Sequence, residues 1–233
     1  MISPYWGPLL SGPIFSSFLI ITILSVMFIY VGYKVGKMSP TDTPKGMVFI
    51  WVSIVGFFNN FIKDNLTGKR FTMFGPYLFT VIIFLSVGNT ISLIGLAPPF
   101  SNLGLAMTMS ILTFFMLQIA EFKFQGVKGK VSNLLGAWKP LFILLLPMNL
   151  ISEFSKPLTM GLRLFVNLFS GAIISFMVYS ALNFGIGFLQ GIFGVTASLL
   201  LHGVFDVFFG IIQAFVFFML SLVNISMAAD SGE

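Results

Sequence analysis

No charged residue occurs between Arg70 and Glu121, and none between Arg163 and Asp206. Uncharged runs of that length leave few folds open, because a helix crossing a hydrocarbon core of about 30 Å needs about 20 apolar residues. Only 8% of the 233 residues are charged and the mean hydropathy is +1.02, whereas a soluble domain carries roughly a quarter charged residues. The sequence therefore specifies an all-α, multi-pass membrane protein. An outer-membrane barrel is excluded, since its strands are short and alternate between apolar and polar residues.

Five runs are expected to cross the bilayer. The first covers residues 14–33, with its helix carried to 36. Two more, near 75–96 and 104–120, form a hairpin over 75–122, turned by Ala97-Pro98-Pro99-Phe100-Ser101-Asn102. The last two, 141–184 and 188–227, form a pair over 140–227. A continuous helix over the first of these would be roughly 65 Å long at ~1.5 Å per residue, about twice the bilayer. Strong tilt, or a kink at Pro147 or Pro157, is thus expected.

Basic residues set the expected topology. Lys34, Lys37, Lys45, Lys63, Lys69 and Arg70 fall between spans one and two, and Lys123, Lys128, Lys130 and Lys139 between spans three and four, so both loops are inside. The N-terminus is then outside and the C-terminus cytoplasmic. No basic residue precedes the first run, which therefore reads as a retained span rather than a cleavable signal. Residues 47–66 are apolar enough to span, but crossing would put Lys45 and the Lys63–Arg70 group on opposite sides. They are expected to lie in the plane of the inner surface, with Trp51 at headgroup level. The whole chain, 1–233, reads as one membrane domain.

The net charge of +5 is accounted for by these loops and gives no reason to invoke nucleic acid. With no Cys, disulfides and thiolate chemistry are excluded; with one His and one nearby acid no metal site is expected, and no phosphate-binding loop or cofactor motif is present.

Arg163 is the exception inside the apolar tracts. Guanidinium keeps its proton, and a cation at mid-membrane costs about 2.5–3.5 kcal/mol even on insertion scales. Lys156 can snorkel to the interface, but Arg163 lies about 10 Å deeper. Ser152, Ser155, Thr159, Arg163, Asn167 and Ser170 follow one another at spacings of three or four, which puts them on one helix face. Ser198, His202, Asp206 and Gln213 make a second polar line, with Asn224 farther on. Two polar lines in lipid call for a hydrated path or a polar partner. The hydroxyls can instead bond to their own helix carbonyls. Asp206 can be a counter-ion for Arg163, and His202 can be a packing residue or, beside a carboxylate, a proton carrier. Glu153 is either a surface acid paired with Lys156 or the inner mouth of the path.

The run Glu153-Phe154-Ser155-Lys156-Pro157-Leu158-Thr159-Met160-Gly161-Leu162-Arg163-Leu164-Phe165-Val166-Asn167-Leu168-Phe169-Ser170-Gly171, followed by Gln213-Ala214-Phe215-Val216-Phe217, resembles subunit a of the rotary F-type ATP synthase. In the N-terminal half the similarity is limited to the order of spans, the in-plane helix and the Gly88-Asn89 and Gly95-Leu96 region. The resemblance implies an ion-translocating stator subunit, most simply for protons, in a bacterial plasma membrane or, alternatively, a mitochondrial inner membrane. Its partners would be the c-ring, the b subunits of the peripheral stalk and the lipid bilayer, with no nucleotide bound directly and no active site of its own. Arg163 would be the family's essential arginine, separating two half-channels. Asn167 and Gln213 match polar positions near it, and Glu153 an acid on the inner side. Asp206 falls where the family carries a His or Glu, whereas the ionisable residue expected nine positions after the arginine is Ala172 here. His202 would then supply what Ala172 lacks. Ser152, Ser155, Thr159, Ser170 and Ser198 would line the half-channels. The carried ion, H+ or Na+, would be chosen by the ring's carboxylate.

A fixed cation attracts the deprotonated carboxylate of a passing rotor helix and holds it until it takes up an ion. Two rival readings use the same residues: a secondary transporter binding solute at an Arg163–Asp206 pair, and a membrane anchor whose arginine binds an acidic partner. The paired repeats usual in transporters are absent.

Overall fold

The computed structural model describes residues 12–38, 45–66, 68–127, 129–130, 142–182, 196 and 200–230. These residues are helical, with short connections. We number the helices α1 (Gly12–Gly36), α2 (Met47–Asn65), α3 (Lys69–Thr90), α4 (Leu103–Phe124), α5 (Phe142–Leu182) and α6 (Gly210–Asp230). Six helical stretches are long and apolar enough to cross a membrane, α2 being the least apolar of them. The protein is thus a multi-pass membrane protein.

The turn between α3 and α4 follows from its residues. Gly95 takes φ 80 after a 3-10 turn at Ile91–Ile94, a conformation that only glycine adopts freely. Pro99 opens a second 3-10 turn, and the Asn102 side chain accepts a hydrogen bond from the Gly104 amide, capping α4. Phe100 closes the turn from below, fully buried, and a Cβ on Gly88 would come within 2.8 Å of its ring.

Helices α3 and α6 form the centre. Of their apolar windows 39% of residues are buried, against 11% in α1 and α2, so the periphery is left to lipid or to partners. One core cluster joins Ile62 and Leu66 at the end of α2 to Phe74, Leu78 and Ile82 of α3 and Phe218, Leu222 and Ile225 of α6. The Ser226 hydroxyl donates to the Asn65 carbonyl at the same end. The second cluster joins Val81 and Leu85 of α3 to Met160, Leu164 and Leu168 of α5 and to Ala214 and Phe217 of α6.

Helix α5 is 41 residues long, about 60 Å at ~1.5 Å per residue. Pro147 and Pro157 lie inside it. Pro157 cannot donate to the carbonyl four residues back, that of Glu153, and its own carbonyl accepts a hydrogen bond from the Ser110 hydroxyl of α4.

Candidate ion-translocation site

Small residues decide which way α5 faces. A Cβ on Gly161 would lie 2.6 Å from Met107 Sδ and 3.2 Å from the Met107 Cα, so α4 and α5 touch almost backbone to backbone there. Gly171 admits Phe205 in the same way, at 3.2 Å. With Met160, Leu164 and Leu168 buried on that side, the opposite side of the helix is turned outward. Ser152, Ser155, Thr159 and Arg163 are exposed there, while Asn167 and Ser170 are half-buried. Ala172 is exposed as well. The helix thus carries its polar line on the surface of the chain, away from the chain's own core.

Asn167 sits where the line meets the next element, its amide donating a long 3.4 Å hydrogen bond to the Phe209 carbonyl. Phe209 ends a π-helix, His202–Phe209, that leads directly into α6. With i→i+5 bonding the turn is wider than an α-turn, so His202 and Asp206 lie less than one turn apart. Their side chains, and Ser198 entirely, lie outside the described residues.

One turn into α6, Gln213 is 9% exposed and its Nε2 has no protein partner among the described residues. Asn89 of α3 is 1% exposed and donates from Nδ2 to the Gly210 carbonyl at 2.9 Å, while its Oδ1 has no partner among the described residues. Ser92 Oγ, in the 3-10 turn that continues α3, is a buried atom and likewise has no partner among the described residues. Three such atoms at one junction form an unusual group, since buried polar atoms nearly always find partners. A Cβ on Gly210 would lie 2.9 Å from that of Asn89, so the close approach of α3 to the start of α6 needs this glycine. Asn89 and Ser92 were not singled out as site residues from the sequence; two polar residues three apart at the end of an apolar run were the available signal.

At the other end of α5's polar line is a charged group. Glu153 Oε1 accepts from Gln118 Nε2 of α4 at 2.6 Å and lies 3.1 Å from Lys130 Nζ, which is 2.9 Å from Glu121 Oε2 of α4. Nearby, Lys156 and Asn224 line a cavity of about 10 Å³ together with Ser110, Thr113 and Ser221, room for one water. Glu153 thus has partners beyond the Lys156 considered from sequence, because α4 runs alongside α5.

The arrangement offers polar groups at both ends of α5 and a fixed cation between them on an outward face. A family profile described as "ATP synthase A chain" matches residues 14–226. The chain is 33% identical over 218 residues to "ATP synthase subunit a 2" of Chlorobaculum tepidum, covering 91% of this chain and 60% of that one. It is 29% identical over 214 residues to "ATP synthase subunit a" of Chlorobium phaeobacteroides, covering 91% and 62%. With the protein of that name from Shewanella baltica the identity is 28% over 230 residues, covering 89% and 84%. The chain spans about three fifths of the length of the first two relatives.

Proposed function

Because the chain belongs to the family of subunit a of the F-type ATP synthase, we propose that it is the ion-translocating stator subunit of such a complex, coupling proton flow to rotation of a c-ring through Arg163. The observation that carries this reading is the outward polar line of α5, with Arg163 exposed at its middle while the other side of the helix is buried against α4. An unpaired guanidinium facing lipid is costly; a guanidinium facing the carboxylates of a partner ring is stabilised by each in turn. Each elementary charge crossing the membrane delivers about 2.3 kcal/mol per 100 mV, so several must pass per ATP.

Two half-channels meet at Arg163 in this reading. The inner one runs past Glu153, Ser152, Ser155 and Thr159. The outer one runs past Ser198, His202, Asp206 and Ser170 to Asn167 and Gln213, with Asn89 and Ser92 added as groups whose unpaired buried atoms are suited to hold water. The relay that Ala172 does not provide passes to His202 and Asp206. Five helices cross the membrane and α2 lies along the inner surface, in keeping with its lower apolarity and its polar end at Asn59, Asn60, Lys63 and Asp64. The N-terminus is outside and the C-terminus cytoplasmic, in a bacterial plasma membrane. Peripheral-stalk b subunits cover part of the apolar surface.

The test is reconstitution of the whole complex in proteoliposomes. Arg163→Ala is expected to assemble normally and to make no ATP under an imposed voltage. Arg163→Lys fails as well, because an ammonium lacks the planar fork of guanidinium. Normal voltage-driven synthesis by either variant would overturn the reading. Cysteines at Ser152 and Ser155 are expected to react with an impermeant thiol reagent from the inside, and cysteines at Ser198 and His202 from the outside. Reaction of both pairs from one side would replace two half-channels with a single pore.

A further inference from the structure

Lys130 is the inner-loop lysine that the reading above leaves without a task. Most basic residues at the helix ends and turns of the expected inner side are exposed, among them Lys34, Lys37, Lys63, Lys69 and Lys123. Lys130 is 8% exposed. The chain brings it inward by a turn just after α4, where Gly126 takes φ 69. A residue with a Cβ would be strained in that conformation. Once turned back, the lysine has its Nζ 4.4 Å from the Phe122 ring centroid and its ammonium between Glu121 and Glu153.

Stability alone is a poor reason for this arrangement. Burying two carboxylates and an ammonium costs desolvation that their attraction only partly returns, and apolar side chains of similar volume would often do as well. The geometry has another result. Both carboxylates lie against the same Nζ, so their contacting oxygens are no more than about 6 Å apart, a distance at which like charges disturb each other strongly. The lysine separates their charges. Together with Gln118 Nε2 it also fixes Glu153 by the same oxygen, Oε1, so the carboxylate is held from two directions. The groups facing Glu153 are Gln118 and Glu121 from α4, Lys130 from the turn beyond it, and Lys156 on its own helix.

We propose that Lys130 is a positioning residue for ion transfer: it clamps Glu153 at the inner end of the α5 polar line and shields it from Glu121, so that ions leave or enter the inner half-channel at one fixed carboxylate. The proposal rests on the stator reading and deepens it. Lys130 touches neither rotor nor ion; it acts through Glu153. The turn at Gly126 is then part of the ion path's construction, although it lies beyond α4.

The experiment compares Lys130→Met, Lys130→Arg and the double variant Lys130→Met/Glu121→Gln in the complete complex in membrane vesicles. Three quantities are read: the amount of assembled complex, ATP-driven proton pumping, and passive proton conduction after removal of the soluble head, as a function of pH on the exposed side. Lys130→Met is expected to reduce pumping about tenfold and to displace the midpoint of the conduction profile by about one unit. Lys130→Arg keeps more than half the pumping rate and the original midpoint. Where Lys130→Met fails to assemble because two acids are left facing each other, the double variant removes that repulsion and assembles, yet pumps slowly with a displaced profile. Wild-type pumping and profile in Lys130→Met or in the assembled double variant would overturn the proposal and leave Lys130 a structural tie. Failure of the stator reading is a separate outcome, recognised by the absence of ATP-driven pumping in the unsubstituted complex or by normal pumping in Arg163→Ala.

Discussion

The two sides of α5 are made of different materials. One is built from a glycine set against α4 at backbone distance and aliphatic side chains buried in the core; the other carries hydroxyls and a guanidinium exposed among the described residues, with the Asn167 amide half-buried beside Phe209. In a membrane, helices are not driven together by the hydrophobic effect, since lipid is as apolar as leucine, so close packing and hydrogen bonds must hold the pair. The tight side is therefore where stability is concentrated. The polar side contributes little to holding the chain together and is free to be specified by what it meets.

That division can be broken from the tight side first. Gly161→Leu is expected to have the largest effect on assembly: its Cβ alone would collide with Met107, and the helices would have to separate by ångströms. Loss of nearly all assembled complex on native gels is the expected outcome, and wild-type assembly would show that α5 is held from elsewhere. Leu164→Ala comes next. The side chain is 1% exposed in the cluster with Val81 and Phe217, and its truncation leaves a cavity worth about 2–3 kcal/mol. The midpoint of thermal disassembly in detergent should fall by several degrees, with coupling efficiency unchanged in the complexes that remain.

Ser110→Ala removes the hydroxyl that bonds the Pro157 carbonyl. Hydrogen bonds between membrane helices average about 0.6 kcal/mol, so a shift of a degree or two in the same assay is expected. Thr159→Val on the exposed side sharpens the comparison from below. It should leave assembly within error and change ATP synthesis less than twofold, because one hydroxyl in a hydrated line is replaceable by water. A loss of assembly in Thr159→Val as large as that in Leu164→Ala would erase the difference between the two sides.

The all-helical membrane character was legible in the long uncharged runs, and the sharing of one face by Ser152, Ser155, Thr159, Arg163, Asn167 and Ser170 follows from spacings near the helical period. The family was legible in the run around Lys156-Pro157 and Arg163. Other features depend on contacts between segments far apart in sequence. Nothing local distinguishes Gly161, which must touch Met107, from Gly203, whose Cβ would meet no atom of the described residues within 4 Å. Asn89 becomes informative only because Gly210, 121 residues away, lets α6 approach it. The π-helix was hidden because its residues, His202–Phe209, contain no proline and read equally well at an α period. Lys130 read as one more topology-setting charge, since only the turn at Gly126 brings it inward.

The contact at Gly161 has a mechanical meaning apart from its energy. In the proposed function a rotor pushes sideways on the stator each time a carboxylate passes Arg163, two residues along the helix from that glycine. A long side chain at the interface would act as a spring, bending through its rotamers before any load reached α4. Backbone set against backbone has almost no such slack. Force applied at the arginine therefore passes within one helical turn into α4, and through it to the core around α3 and α6, so the stator can be stiff at the one point where yielding would let the rotor slip without work being done.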